Sequence, residues 1–160
     1  MHEMAVLLHN VRSTHNVGSI FRTADAAGVS HLYLSGYTPR PLDRFNRPQK
    51  DIAKTALGAE TFLPWTYHKT PQSLLKSLKK EGWEIVGVEQ DRRARHYRDF
   101  KASGKLVFVF GNEVRGLSSS LLNLCDVLVE IPMLGKKESL NVSVTAGVIL
   151  FNIQNNVTKS

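Results

Sequence analysis

Two turns in the last third of the chain carry the residues best suited to chemistry. The first spans residues 111–118 (GNEVRGLS) and the second spans residues 131–141 (IPMLGKKESLN). Each turn follows an apolar run with the character of a β-strand. Because ligand sites in α/β proteins lie beyond the carboxyl ends of the strands, the two turns are predicted to form two walls of one small-molecule pocket.

Several common sites do not match these turns. The first turn has the glycine spacing of a phosphate loop, but Leu117 stands where the lysine should be, and Glu113 would repel a triphosphate. No G-x-G-x-x-G follows a strand, and no cysteine–histidine metal spacing occurs, so neither a standard dinucleotide site nor a metal is expected. A plain glycine turn would explain the glycines but not the adjacent Asn112-Glu113-x-Arg115.

The predicted pocket has apolar walls and few charges. Its apolar side chains are Ile131, Met133 and Leu140, and they favour an uncharged or cationic ligand with an adenine ring, held by backbone groups. The polar residues expected around it are Asn10, Asn16, Arg22, Glu113, Ser139 and Asn141. Each also has an ordinary structural explanation: Ser139 or Asn141 as a helix N-cap, Asn16 as a turn residue, and Arg22 in a surface ion pair.

Strands alternating with helices must position these residues. Residues 5–8, 15–27 and 31–34 form a strand, a helix and a strand, which is a βαβ unit. The remaining predicted strands are 61–65, 83–88, 106–110 and 127–131, and the remaining helices are 51–57, 71–80, 117–124 and one from near Ser139 or Asn141 to about Asn155. The pattern predicts one α/β domain over residues 1–160, with a mostly parallel sheet flanked by helices and no linker.

The charge balance points to a polyanionic partner. A net charge of +7 and a pI of about 9.7 favour nucleic acid first and an acidic membrane second, although a generically basic protein would show the same values. Two segments, 36–50 and 91–101, concentrate the basic residues, and the second interleaves them with aromatic ones. That mixture suits phosphate contact with base stacking, and an ordinary solvated loop is the alternative.

The final helix carries two apolar stripes on roughly opposite sides, so both sides are expected to be buried. The second side is predicted to form a homodimer interface, and a helix sandwiched inside one chain is the alternative.

Cys125 is the only cysteine, which excludes a disulfide framework and favours a structural thiol. With no apolar run approaching the ~20 residues of a membrane span, a cytoplasmic protein without a membrane partner is expected.

Three motifs in order match a known family over residues 5–155. They are NVRSTHNVGSIFRTAD (10–25), FVFGNEVRGLS (108–118) and IPMLGKKESLNVSV (131–144). The chain resembles the SpoU (TrmH-type) RNA 2′-O-ribose methyltransferases of the SPOUT superfamily. The resemblance implies a C-terminal trefoil knot, S-adenosyl-L-methionine as cofactor, and an obligate homodimer with its active site at the interface. No additional N-terminal RNA-binding domain is expected.

The resemblance also assigns roles to individual residues. Gly111, Ile131, Met133 and Leu140 should line the cofactor site with Ser139 beside it, and the catalytic or RNA-positioning residues should be Asn16, Arg22, Glu113, Ser139 and Asn141. RNA is expected to contact Asn10, Arg12, Arg40, Arg44, Arg92, Arg93 and Arg95. The implied reaction methylates a ribose 2′-hydroxyl, with tRNA slightly favoured over rRNA. A non-catalytic RNA-binding or assembly protein on the same fold is the alternative.

Overall fold

A computed structural model describes the backbone of residues 2–157 and the side chains of residues 2–154. Strands and short helices alternate along the chain. In order they are β1 (Glu3–His9), α1 (Thr14–Ala26), β2 (His31–Ser35), α2 (Lys50–Ala56), α3 (Ala59–Phe62), β3 (Trp65–His68), α4 (Pro71–Lys80), β4 (Trp83–Val88), β5 (Arg95–His96), β6 (Lys105–Phe110), α5 (Ser119–Leu124), β7 (Val127–Glu130) and α6 (Val142–Val157).

All seven strands belong to one parallel sheet of order β3-β2-β1-β6-β4-β7-β5. The first strand, β1, lies near the middle, where Val6 pairs with Leu32 of β2 on one side and with Phe108 of β6 on the other. A strand with neighbours on both sides and helices on both faces must be apolar throughout, which explains the continuous run 5–8. The predicted α/β class with a parallel sheet is confirmed, and the trefoil knot stays a prediction.

Helices cover both faces of the sheet. Met4, Val6 and Leu8 of β1 face the larger apolar cluster, which α1, α2 and α6 complete. Ala5 and Leu7 face the smaller cluster, which α4 and α5 complete. This alternation follows from the two-residue period of a strand. Asn10 and Glu113, two of the polar residues predicted for a site, follow the carboxyl ends of β1 and β6.

The helices α1 and α2 touch at Gly18. A Cβ atom at this position would lie 2.4 Å from the backbone oxygen of Ile52, so only glycine permits the approach. The Thr55 hydroxyl adds a hydrogen bond to the backbone oxygen of His15 (3.0 Å). The contact fixes the end of the long segment between β2 and α2 relative to α1.

Two details of the predicted elements were wrong. The strand expected over residues 61–65 does not form, because the one-turn helix α3 extends to Phe62 and β3 begins only at Trp65. Gly58, with φ of +95°, starts this turn, and its N–H donates to the Glu60 side chain. The second detail is α5, which begins at Ser119 rather than at Leu117, because the Ser118 side chain accepts a hydrogen bond from the Leu121 N–H and caps the helix.

The one cysteine packs beneath the sheet. Burial raises the pKa of the Cys125 thiol to about 11, and the thiol donates a hydrogen bond to the backbone oxygen of Leu121 (3.3 Å). A Cβ at Gly87 of β4 would lie 2.7 Å from this sulfur. These features fit the structural thiol that the sequence predicts.

Candidate functional site

A cavity of about 290 Å³ lies between the two turns, at the carboxyl ends of β4, β6 and β7. All five residues predicted to bind a cofactor line it: Gly111, Ile131, Met133, Ser139 and Leu140. The predicted catalytic residue Glu113 also reaches its wall. The two turns therefore do form two walls of one pocket, as the sequence indicates.

The first turn depends on two glycines. A Cβ at Gly111 would lie 2.6 Å from the backbone carbonyl of Gly116, and Gly116 itself has φ of +65°. The turn is closed by a pair of backbone hydrogen bonds between Asn112 and Gly116 (3.2 and 2.9 Å). These glycines let the two sides of the turn approach within backbone contact.

Glu89 and Gln90 line the cavity and were not predicted. The Glu89 carboxylate accepts hydrogen bonds from the Leu117 N–H (2.9 Å) and the Gln90 N–H (3.1 Å). The Gln90 side chain donates to the backbone oxygen of Glu138 in the second turn (2.9 Å). The end of β4 thus holds both turns together, and the position of these two residues directly after a strand was the signal that could have revealed them.

Asn112 joins three strand ends. Its side-chain amide donates to the backbone oxygen of Asn10 after β1 (3.0 Å) and to the Tyr37 hydroxyl after β2 (3.1 Å). The Asn10 side chain, whose residue has φ of +56°, accepts a hydrogen bond from the Tyr37 N–H (3.0 Å). Asn10 therefore orders the loops around the site through its side chain and backbone.

Glu113 makes contact with the first motif. Its carboxylate accepts hydrogen bonds from the backbone N–H groups of Arg12 (2.8 Å) and Ser13 (3.3 Å), just before α1 begins. The Ser13 side chain then caps α1 by accepting a hydrogen bond from the Asn16 N–H (3.1 Å). In this chain Glu113 positions the segment that carries Arg12.

Asn16 and Asn141 form a direct pair. The Asn141 amide donates to the Asn16 side-chain oxygen (3.1 Å), and Asn16 is 6% exposed. The Asn141 oxygen accepts a hydrogen bond from the Ser143 N–H (2.9 Å), so Asn141 is also the N-cap of α6. Asn16 lies within α1 and is not a turn residue. Neither asparagine lines the cavity.

Arg22 lies on the exposed side of α1 and does not line the cavity. Among the residues that the structure describes, the ion pairs are Arg47–Asp43, Lys79–Asp126 and Arg93–Asp91, so Arg22 forms no ion pair there. The single chain therefore assembles the cavity but leaves Arg22 outside it.

The predicted RNA contacts lie in segments that begin where strands end. Arg40 stacks on the Tyr67 ring (3.6 Å to the centroid), and Arg44 lies over Phe45 (4.8 Å). Arg93 is paired with Asp91 (3.0 Å), and the hydrogen bonds from Arg93 hold the pKa of that carboxyl below its usual range. Arg12, Arg92 and Arg95 are exposed. Both basic segments leave the carboxyl edge of the sheet, after β2 and after β4.

Comparison with known proteins decides the family. The model of the SpoU rRNA methylase family matches residues 3–151. This chain belongs to the SpoU rRNA methylase family. The turns that form the cavity lie within the matched region, so the family assignment covers the site as well as the sheet.

Known SpoU proteins match almost all of this chain. It is 34% identical over 148 residues to a putative TrmH family tRNA/rRNA methyltransferase of Staphylococcus haemolyticus. It is 36% identical over 149 residues to the 23S rRNA (guanosine-2′-O-)-methyltransferase RlmB of Ralstonia nicotianae. Each match covers 92% of this chain and 57% of the relative, so the chain spans just over half the length of these relatives.

A solved SpoU structure with a bound cofactor has the same fold. It is the methyltransferase AviRb from Streptomyces viridochromogenes in complex with AdoMet (S-adenosylmethionine), which aligns with a TM-score of 0.87 and 26% identity. The alignment covers 99% of this chain and 62% of AviRb.

Within residues 2–157, no helix is long and apolar enough to cross a membrane, and no three metal-ligating side chains come together.

Proposed function

We propose that this chain transfers a methyl group from S-adenosyl-L-methionine to a ribose 2′-hydroxyl of RNA. The observation that carries the proposal is the cavity between the two motif turns, which all five predicted cofactor residues line. Support comes from AviRb, a protein of the same fold whose structure contains AdoMet, and from RlmB, whose name specifies 2′-O-methylation.

The cavity suits this cofactor chemically. Ile131, Met133 and Leu140 supply an apolar wall for an adenine ring, and the glycine turn supplies backbone donors and acceptors. Glu89 places a carboxylate at the cavity, which favours a ligand with positive charge. When bound, S-adenosylmethionine supplies an electrophilic methyl group on a sulfonium centre. The protein then has to bind the cofactor, align the ribose hydroxyl with the methyl group, and allow the proton of that hydroxyl to leave.

Arg22 is proposed to act on that hydroxyl. The Arg22 guanidinium is a planar cation with five N–H donors. In the protonated form it donates hydrogen bonds that orient the 2′-hydroxyl and stabilise the developing alkoxide. As a base, its neutral form would take the proton of the 2′-hydroxyl, with an RNA phosphate assisting.

A homodimer is proposed to complete the site. Arg22 lies outside the cavity of its own chain, which supports a site that Arg22 of one subunit and the cavity of the other form together. Apolar residues available for an interface are exposed on and just before α6: Leu140 is 41%, Val144 51% and Phe151 39% exposed. Val114 and Leu134, in the two turns of the site, are 92% and 96% exposed, which fits turns that meet a partner surface.

The proposal is tested by methyl transfer. Labelled S-adenosylmethionine is incubated with separated tRNA and rRNA pools, and the RNA is digested to nucleosides for analysis. A 2′-O-methyl nucleoside in one pool is expected, with tRNA slightly favoured. Cofactor binding without transfer to either pool would instead support the non-catalytic RNA-binding protein.

Arg22→Ala separates catalysis from binding. We expect transfer to fall by about 100-fold or more, as for loss of a positioned catalytic group, with cofactor affinity unchanged in calorimetry. Lys76→Ala is the matched control, because it removes an exposed cation from α4, on the opposite face of the sheet. Normal turnover by Arg22→Ala would exclude the proposed role.

A further inference from the structure

An aromatic ring stands exposed between two arginines in the segment from β2 to α2. Phe45 is 61% exposed, and the guanidinium carbons of Arg44 and Arg47 lie 4.8 and 4.9 Å from its ring centroid. We call residues 38–49 the Phe45 loop. An exposed aromatic side chain flanked by guanidinium groups is the combination that binds a base and its phosphate together.

The Phe45 loop is ordered by its own aspartate. One oxygen of Asp43 accepts hydrogen bonds from the N–H groups of Phe45 (2.7 Å) and Arg47 (3.0 Å), and the other pairs with the Arg47 side chain (2.9 Å). The hydrogen bond from the Arg47 N–H is the main reason that the pKa of Asp43 lies below its ordinary range. An antiparallel bridge between Leu42 and Pro48 closes the base of the loop. A preformed turn therefore keeps the Phe45 ring exposed to solvent, which reduces the entropy cost of binding a ligand.

An open cleft of about 470 Å³ lies within the Phe45 loop. Three arginines line it, Arg40, Arg44 and Arg47. The one acidic residue in the lining is Asp43, whose carboxylate is already engaged inside the loop. Arg40 is fixed in place by stacking on the Tyr67 ring at 3.6 Å. The cleft has the size of a small-ligand site and favours an anion with a flat aromatic part.

The loop is anchored at the strand end that carries the first motif. The Thr38 hydroxyl donates to the backbone oxygen of Leu8 (3.0 Å) and accepts from the Val11 N–H (3.1 Å). At its other end the chain enters α2, which packs on α1 at Gly18. The Phe45 loop is thus fixed at both ends to the elements that position Asn10, Asn16 and Arg22, although it forms a cleft separate from the cavity.

We propose that the Phe45 loop binds one unpaired nucleotide of the RNA substrate, other than the nucleotide that is methylated. The base stacks on Phe45, and the neighbouring phosphate pairs with Arg44 and Arg47. This inference rests on the proposed RNA substrate and adds a determinant of RNA choice: the RNA must present an unpaired nucleotide at a fixed position beside its target.

The test compares binding of a short fluorescent oligoribonucleotide of mixed sequence with binding of the same strand in a duplex, by anisotropy titration. Phe45→Ala is expected to weaken binding of the unpaired strand at least about fivefold and to leave duplex binding and its salt dependence unchanged. Phe45→Trp should retain the affinity, and Phe45→Leu should lose it, since leucine keeps apolar bulk but has no aromatic face. Arg47→Ala should instead reduce the salt dependence.

Phe62→Ala is the matched control. This ring is 70% exposed on α3, so its removal should leave affinity for both RNAs unchanged. The inference is overturned if Phe45→Ala binds the unpaired strand like the wild type, or if it weakens strand and duplex equally.

Methyl transfer by the wild type, measured in parallel, separates this inference from the proposed function. If the wild type transfers the methyl group but Phe45→Ala leaves RNA binding unchanged, the inference about the Phe45 loop is overturned and the proposed function is not. If Phe45→Ala selectively loses affinity for the unpaired strand and the wild type transfers no methyl group, the nucleotide site is supported and the proposed enzyme activity is contradicted.

Discussion

At the scale of single residues, the cavity depends on two glycines, Gly111 and Gly116, whose lack of a Cβ atom permits close packing. Gly111 has backbone atoms of Gly116 where a Cβ would stand, and Gly116 has the Glu89 carboxylate there. The two sides of the first turn, and the turn and Glu89, can approach this closely only because neither glycine carries a side chain. Gly135, in the second turn, has nothing within 4 Å of its Cβ position and no positive φ. The two turns therefore differ sharply in their tolerance of alanine.

Gly111→Ala should damage the site and Gly135→Ala should not. The first substitution forces a methyl group against a backbone carbonyl, which should cost about 1–3 kcal/mol of unfolding free energy and weaken S-adenosylmethionine binding at least about tenfold. The second should be neutral or slightly stabilising. Urea denaturation and calorimetry measure both effects. Equal cofactor affinity in the two variants would contradict the close approach of the turn.

Residue types, spacing and the family resemblance predicted lining positions in the two turns, but not Glu89 and Gln90 or the contacts that hold the turns. Gly111, Ile131 and Leu140 follow from the motifs, because each lies in a turn after an apolar run. The hydrogen bonds that Glu89 and Tyr37 form escaped prediction, because their partners Leu117 and Asn112 are 28 and 75 residues away along the chain. A side-chain hydrogen bond across such a separation leaves no periodic signal in one sequence.

At the scale of elements, Asn141 connects two helices. It caps α6 through the Ser143 N–H and holds Asn16 of α1 through its amide. The sequence offered a capping role and a role at the site as alternatives; the structure shows the cap and a second role as donor to Asn16, and the role at the site stays a prediction. The two roles use different atoms, so they can be separated by mutation.

Asn141→Ser should keep the cap and lose the contact with Asn16, whereas Asn141→Ala should lose both. The alanine variant is expected to be less stable than the serine variant by about 0.5–2 kcal/mol in urea denaturation. Methyl transfer should fall in both variants, because both lose the donor to Asn16. Equal stability of the two variants would show that the cap contributes nothing to α6.

Element prediction succeeded where one pattern dominated and failed where local geometry decided. The strands β4 and β6 and the helix α4 match apolar runs or a clear amphipathic stripe. The single turn of α3 is set instead by the positive φ of Gly58 and its hydrogen bond to Glu60. Four residues are too few for helical periodicity to be recognised. The residue types over 61–65 are common in strands, so a strand was predicted there.

At the scale of the whole molecule, α6 has one face in the core and another exposed. Ala146, Ile149, Leu150 and Ile153 are buried against the sheet and α1, while Val144 and Phe151 remain exposed. Both stripes are visible in the sequence. The helix is therefore not enclosed on both sides within one chain, and the exposed stripe supports the proposed dimer.

Val144→Glu should disrupt that dimer. A carboxylate in an apolar interface would be desolvated without a partner, so the particle should shift from about twice 17.9 kDa to 17.9 kDa in sedimentation, with loss of methyl transfer. Phe62→Glu, at an exposed aromatic position on α3, should leave the mass unchanged. A wild-type monomer with full activity would refute the shared site.

The central position of β1 has a consequence for how the protein is made. Met4 pairs with Leu106, so β1 leaves the ribosome about 5–20 s before its neighbour β6 at ordinary translation rates. During that interval one edge of a strand with the apolar run 4–8 is unpaired, and it is open to chaperones or to another nascent chain. Such distant pairing also raises the contact order, so refolding is expected to be slow compared with that of helical proteins of similar length.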